Sequence, residues 1–259
     1  MTEPSAVTLY HRLDGPIDKP LVVFGNSLGA DLAMWDEVAG RVSMRFRCLR
    51  FDKPGHGGSP PAPGLTLEAI ADRVAGLIAE YGGRALYVGL SIGGLIGQLL
   101  MRRAPERLSA AVLIATAAHI PSPETWEERA RVVEREGLGA IVDAVLARWF
   151  TPAFASREPE RFAAVRETFL GVDRASYAAC CRAIGRFDLR GTRPARRVPA
   201  LVVSAAEDPA TPPALGEALA ADLGADFVLL RRAAHLVAIE RAEAVAGLVA
   251  WMHEAGARG

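Results

Sequence analysis

One pentapeptide in this chain has the composition of an exposed nucleophile. Gly89-Leu90-Ser91-Ile92-Gly93 fits G-x-S-x-G, with Leu86-Tyr87-Val88 patterned as strand before it and an apolar helical pattern after it. Glycines two residues to either side of Ser91 remove the side chains that would collide in so sharp a turn. The hydroxyl is then expected to project from a sheet edge, beside the N-terminal amides of the new helix. A serine hydroxyl is a poor nucleophile at neutral pH and needs a base, itself held by a third group. Two late segments supply both: Asp208 in Glu207-Asp208-Pro209-Ala210-Thr211-Pro212, and His235 in Ala233-Ala234-His235-Leu236. Each follows an apolar run patterned as strand, and Glu207 is a second candidate for the acid. An oxyanion formed at Ser91 needs two donors in place before reaction. The Ile92 amide, directly after the nucleophile, is one; the Leu28 amide in Asn26-Ser27-Leu28-Gly29 is expected to be the other.

Other reactive side chains fit less demanding roles. His56 sits in the Gly-rich turn Asp52-Lys53-Pro54-Gly55-His56-Gly57 and is expected to brace that loop. His119 is placed where it could reach a ligand, whereas His11 and His253 lie near the ends and are expected to be solvated. Cys180-Cys181 falls on a helical pattern and reads as packing. No His, Cys or Asp group has metal-ligand spacing, and no Gly-rich turn has the setting of a nucleotide loop, so neither metal nor nucleotide cofactor is expected.

The elements that must position these groups alternate. Leu21–Phe24, Arg47–Phe51, Ala85–Leu90, Ala110–Ala115, Ala200–Ser204 and Phe227–Leu230 read as strands. Leu67, Ile70, Val74, Leu77, Ile78 and Tyr81 form one apolar helix face, with Thr66 as N-cap and Gly82-Gly83 as stop. Such alternation predicts an α/β fold with a mainly parallel sheet between helices. The rhythm breaks over 122–190, which carries only helical patterns, at Glu124–Glu136, Leu138–Trp149, Pro159–Leu170 and Ser176–Ile184. A core of residues 1–121 and 191–259 with a helical cap of 122–190 is the economical division. The cap is expected over the carboxyl ends of the strands, where open sheets hold ligands.

Composition sets the outer limits. The 259 residues are 51% hydrophobic and 23% charged, enough for a large core and too apolar for disorder. Thirty basic residues balance thirty acidic ones, so no general attraction to nucleic acid or an anionic membrane is expected. Three cysteines cannot build a disulfide framework, and Met1–Leu13 lacks the basic start and apolar run of a signal peptide. The longest uncharged stretch, Ala85–Met101, is short for a span and rich in glycine. A soluble, cytoplasmic protein acting on a small molecule is expected; oligomeric state is left open.

Ser91, Asp208 and His235 occur in the chain order of the α/β-hydrolases, each just beyond a strand. Within that superfamily the chain resembles the 3-oxoadipate enol-lactonases of the β-ketoadipate pathway along nearly its whole length. The resemblance is carried by Asn26-Ser27-Leu28-Gly29 with Met34-Trp35-Asp36, by Gly89–Gly94 with Gly97-Gln98, and by Arg148-Trp149-Phe150-Thr151-Pro152. Tyr177–Cys181, Asp208–Pro213 and Ala234-His235-Leu236 extend it. Pro54 and Ile239-Glu240-Arg241 depart from the family pattern. The resemblance implies a cofactor-free Ser-His-Asp hydrolase that opens a small lactone bearing a carboxylate arm. That arm calls for a guanidinium; Arg148 is the expected partner, with Trp149 and Trp126 walling the ring. A carboxylesterase or lactonase on another small ester, and a ligand-binding protein without turnover, are the alternatives.

Overall fold

The apolar runs come together as one sheet. The computed structural model describes residues 7–62 and 64–256, so the outermost positions of the expected core, 1–6 and 257–259, lie outside the described residues. The strands are β1 (His11–Asp14), β2 (Leu21–Gly25), β3 (Arg47–Phe51), β4 (Ala85–Leu90), β5 (Leu108–Ile114), β6 (Ala200–Ala205) and β7 (Asp226–Leu230). They lie in the order β1-β3-β2-β4-β5-β6-β7, with β1 antiparallel and all other pairs parallel. Strand β1, which periodicity does not reveal, is an edge strand of His, Arg, Leu and Asp held by backbone pairing and by the Arg50–Asp14 ion pair.

Helices α1 (Asp36–Val42), α2 (Leu67–Tyr81) and α3 (Ile92–Arg103) connect the first strands. The Thr66 hydroxyl caps α2 by accepting from the Ala69 amide at 3.1 Å, and Leu67, Ile70, Val74, Leu77 and Ile78 face the core. Burying each such side chain contributes about 1.5–3 kcal/mol. Between β5 and β6 run α4 (Pro123–Glu136), α5 (Val142–Trp149), α6 (Pro152–Arg157), α7 (Pro159–Leu170) and α8 (Arg174–Arg186). The expected single helix Leu138–Trp149 is in fact a 3-10 turn at Leu138–Ala140 followed by α5. Helix α6 starts afresh at Pro152, capped by Thr151. A single bridge, His119 to Asp188, joins the start and end of this helical segment. Helices α9 (Pro213–Leu223), α10 (Val237–Glu240) and α11 (Ala242–Gly256) complete the chain.

Both faces of the sheet are covered. A Cβ at Gly97 of α3 would lie 2.8 Å from Leu113, and one at Gly256 of α11 would lie 3.0 Å from Ala110. Three residues apart on β5, those two contacts point to opposite faces. Strand order reverses between β2 and β4, which makes their carboxyl ends the crevice where open α/β sheets bind ligands. The helical segment closes over that crevice: the Asp173 amide donates to Gly55 O at 2.8 Å, and the Leu236 amide donates to Trp149 O at 3.0 Å. No helix among the described residues is long and apolar enough to cross a membrane.

Candidate active site

Ser91 follows β4 directly with φ 59° and ψ −118°, a left-handed backbone that side chains rarely adopt. The turn survives because its neighbours have no side chains. A Cβ on Gly93 would sit 2.2 Å from Gly25 O, and one on Gly89 2.3 Å from Gly93 O. The Ser91 amide donates to Ile114 O at 2.9 Å, and the Thr116 hydroxyl donates to Ser91 O at 2.9 Å, which pins the turn to β5.

Asp208 and His235, separated by a helix and a strand in sequence, meet beyond β6 and β7. His235 Nδ1 lies 2.8 Å from Asp208 Oδ2, which also accepts the Thr211 hydroxyl at 2.6 Å. Asp208 Oδ1 accepts the amides of Ala210 at 2.8 Å and Thr211 at 3.1 Å. Burial pushes this carboxyl upward, but the His235 charge and these hydrogen bonds outweigh it and hold the carboxyl below the ordinary aspartate range. A carboxylate only accepts, so in the neutral imidazole the proton sits on Nδ1 and Nε2 keeps a free lone pair. His235 and Ser91 line one cavity, yet no hydrogen bond joins them in this conformation. Glu207, the alternative acid, is exposed to solvent.

Neither the Leu28 nor the Ile92 amide donates a hydrogen bond among the described residues. Ile92 opens α3, where the first amides have no acceptor within the helix. Leu28 lies in the loop after β2, which is fastened from behind. The Gly29 amide donates to His56 Nε2 at 3.1 Å, and His56 Nδ1 faces Pro54 O at 3.0 Å. Burial and the neighbouring Lys53 charge hold His56 well below the usual histidine range, so it stays neutral and can accept.

The cavity measures about 160 Å³, below the roughly 300–1,000 Å³ of sites for drug-sized ligands. Arg148, Trp149 and Trp126 all line it, as do Arg129 and Tyr177. The Arg129 guanidinium lies 4.6 Å over the Trp126 ring, and the Trp126 indole donates to Ile120 O at 3.2 Å. Arg148 Nε donates to Ala144 O at 3.2 Å. Neither guanidinium pairs with a carboxylate among the described residues. Burial and the Arg129 charge hold Arg148 below the ordinary arginine value. Arg129 lies one turn beyond Trp126 on α4, a spacing that puts both on one face and could have found it from sequence.

Three histidines differ from expectation or lie elsewhere. His119 does not line the cavity; its Nδ1 is engaged by Phe187 O at 3.0 Å, beside the backbone bridge to Asp188. His11 is not simply solvated: its ring contacts Leu9 O and the Tyr81 hydroxyl, each at 3.0 Å. His253 packs edge-on against Phe46. Cys48, Cys180 and Cys181 are unpaired and buried.

The profile of the alpha/beta hydrolase family matches residues 22–248. Among curated proteins, 3-oxoadipate enol-lactonase 2 of Acinetobacter baylyi is 31% identical over 92% of this chain and 90% of its own. Among solved structures, the enol-lactonase from Burkholderia xenovorans is 42% identical with a TM-score of 0.90, covering 96% of this chain and 98% of that one. A thermophilic esterase from Thermogutta terrifontis, solved with malate bound, is 30% identical with a TM-score of 0.88, covering 96% and 94%.

Proposed function

The chain belongs to the alpha/beta hydrolase family and acts on a lactone or an ester; within that class, we propose that it opens the ring of 3-oxoadipate enol-lactone to give 3-oxoadipate. Ser91 is the nucleophile, His235 the base and then the acid, and Asp208 the group that fixes the imidazole. The Ser91–His235 hydrogen bond forms with substrate in place, as catalytic hydrogen bonds commonly tighten only in the bound complex. Ser91 Oγ attacks the ring carbonyl while Nε2 takes its proton, and the oxyanion is received by the Leu28 and Ile92 amides. Ring C–O cleavage expels an enolate, a good leaving group, which takes a proton and becomes the ketone. Water, deprotonated by His235, then attacks the acyl-enzyme and releases the second carboxylate along with free Ser91.

The observation that carries the substrate class is the pair of guanidiniums, Arg129 and Arg148, in the same small cavity as Ser91 with no carboxylate of their own. Half-buried cations held so close together are poised for a carboxylate supplied by the ligand. Trp126 and Trp149, both on the helical cap of 122–190, flank the ring. Malate in the related esterase is a small carboxylate of similar kind. Three unpaired thiols suit a reducing, cytoplasmic setting.

The test compares kcat/KM for enol-lactone generated in situ with that for a neutral ester of similar size. The reading expects the carboxylate-bearing lactone to be preferred by about two orders of magnitude, the worth of roughly 3 kcal/mol of charge-assisted hydrogen bonding. Equal values would refute the substrate, and turnover surviving in Ser91→Ala would refute the mechanism.

A further inference from the structure

Lys53 is fully buried, with 0% exposure, and its ammonium makes no hydrogen bond to a carboxylate. It donates instead to one short loop: to Asn26 Oδ1, to Asn26 O at 3.5 Å, to Ser27 O at 2.9 Å and to Ala30 O at 3.3 Å. Burying an amine without a counter-ion in contact is costly, so a fold would ordinarily place an apolar side chain there. The acceptors show what the charge acts on. Ser27 C=O and Leu28 N–H belong to the same peptide group, one at each end of its dipole. The geometry points to Lys53 as a positioning residue for the oxyanion hole: its ammonium, bound to Ser27 O, orients and polarises the Ser27–Leu28 peptide so that the Leu28 N–H becomes a stronger, fixed donor.

An amide whose oxygen accepts from a cation donates better through its N–H, because hydrogen bonds in a chain polarise one another, more so at low dielectric. The loop is clamped nearby through Gly29 to His56 and through Asn26 Nδ2 to Phe51 O at 3.2 Å. Removing Lys53 therefore leaves a held loop but withdraws the charge behind it. The groups that face Lys53 are Asp52, Asp31, Cys180 and His56. Burial pushes the amine down to about 8, while the two carboxylates and Cys180 act to raise it. The ammonium is thus largely present at neutral pH and is lost as pH rises through that value.

This inference rests on the reading of Leu28 as an oxyanion donor, and the experiment separates the two. Lys53→Met and Lys53→Gln are compared with the parent enzyme for kcat, KM and inhibition by a small alkylboronic acid, whose adduct with Ser91 carries the negative charge. Both variants are expected to lose about 10- to 50-fold in kcat and in boronate affinity, short of the ~10²–10³ lost with a whole donor. KM for a neutral activated ester should stay within about twofold, since the uncharged carbonyl gains little from the peptide's polarisation. Parent kcat should also decline as pH rises through about 8, and that limb should vanish in a folded variant. A purely structural lysine would lower thermal stability while leaving kcat, boronate affinity and the alkaline limb unchanged, and that result overturns the inference. Should neither variant fold, a parent kcat that stays level from pH 7 to 10 overturns it, and an alkaline decline supports it. A parent enzyme that neither hydrolyses the activated ester nor binds the boronate refutes the underlying assignment, and the inference falls with it.

Discussion

Replacing Asp208 with Asn tests whether the carboxylate selects the imidazole's tautomer. The amides of Ala210 and Thr211 both point at Asp208 Oδ1, at 2.8 and 3.1 Å. An asparagine would be forced to keep its oxygen there, which turns its NH2 toward His235. Two donors cannot share that 2.8 Å contact, so the imidazole moves its proton to Nε2 and loses the lone pair that would take the Ser91 proton. The cost of such a swap in a Ser-His-Asp hydrolase is about 10⁴ in kcat, roughly 5 kcal/mol of barrier. KM should hardly move, because Asp208 does not line the cavity. Steady-state hydrolysis of an activated ester, with circular dichroism to verify the fold, reads both. Stability supplies a second measure. Because the folded-state carboxyl is held below its ordinary value of 3.8, its ionised form stabilises the protein above that pH. That contribution is lost as pH falls further, through the depressed folded-state value. The deficit of Asp208→Asn in thermal unfolding should therefore be full at pH 7 and shrink below about pH 4. A folded variant that keeps kcat within about tenfold of the parent would refute this reasoning.

Arg148→Ala should raise KM for the carboxylate-bearing lactone about 10- to 100-fold, the worth of one charge-assisted hydrogen bond, while leaving a neutral ester within about twofold. Arg129→Ala should act in the same direction, and equal losses on both substrates would remove either residue from carboxylate binding. Gly93→Ala would drive a Cβ to 2.2 Å from Gly25 O; a loss of about 3 kcal/mol or more, read as a Tm several degrees lower, is expected. An unchanged Tm would show that the β2–α3 contact is looser than described.

Much of this was legible because the decisive features are local. The turn at Ser91 announces itself through glycines at positions where any Cβ would meet backbone, and β3 and β4 fall where their apolar runs place them. Strand β1 was not legible: its four residues bury little, and pairing of an edge strand is a tertiary event. Helix α6 gives no periodic signal although Thr151-Pro152 is a proper helix start, because six residues are too few to show a period. Loop lysines are ordinarily solvated, and only the folded chain shows that Lys53 turns inward to the carbonyls of residues 26–30. Arg129 stood in plain view one turn from Trp126, but only the packing of α4 beside α8 shows which face meets the cavity.

The assignment of Ser91 as nucleophile is open to direct chemical capture. Incubation with a p-nitrophenyl alkylphosphonate, followed by intact mass and peptide mapping, should show one adduct per chain, located on Ser91 and absent from Ser91→Ala. A fully inactivated enzyme with Ser91 unmodified, or labelled at another side chain, would contradict the account.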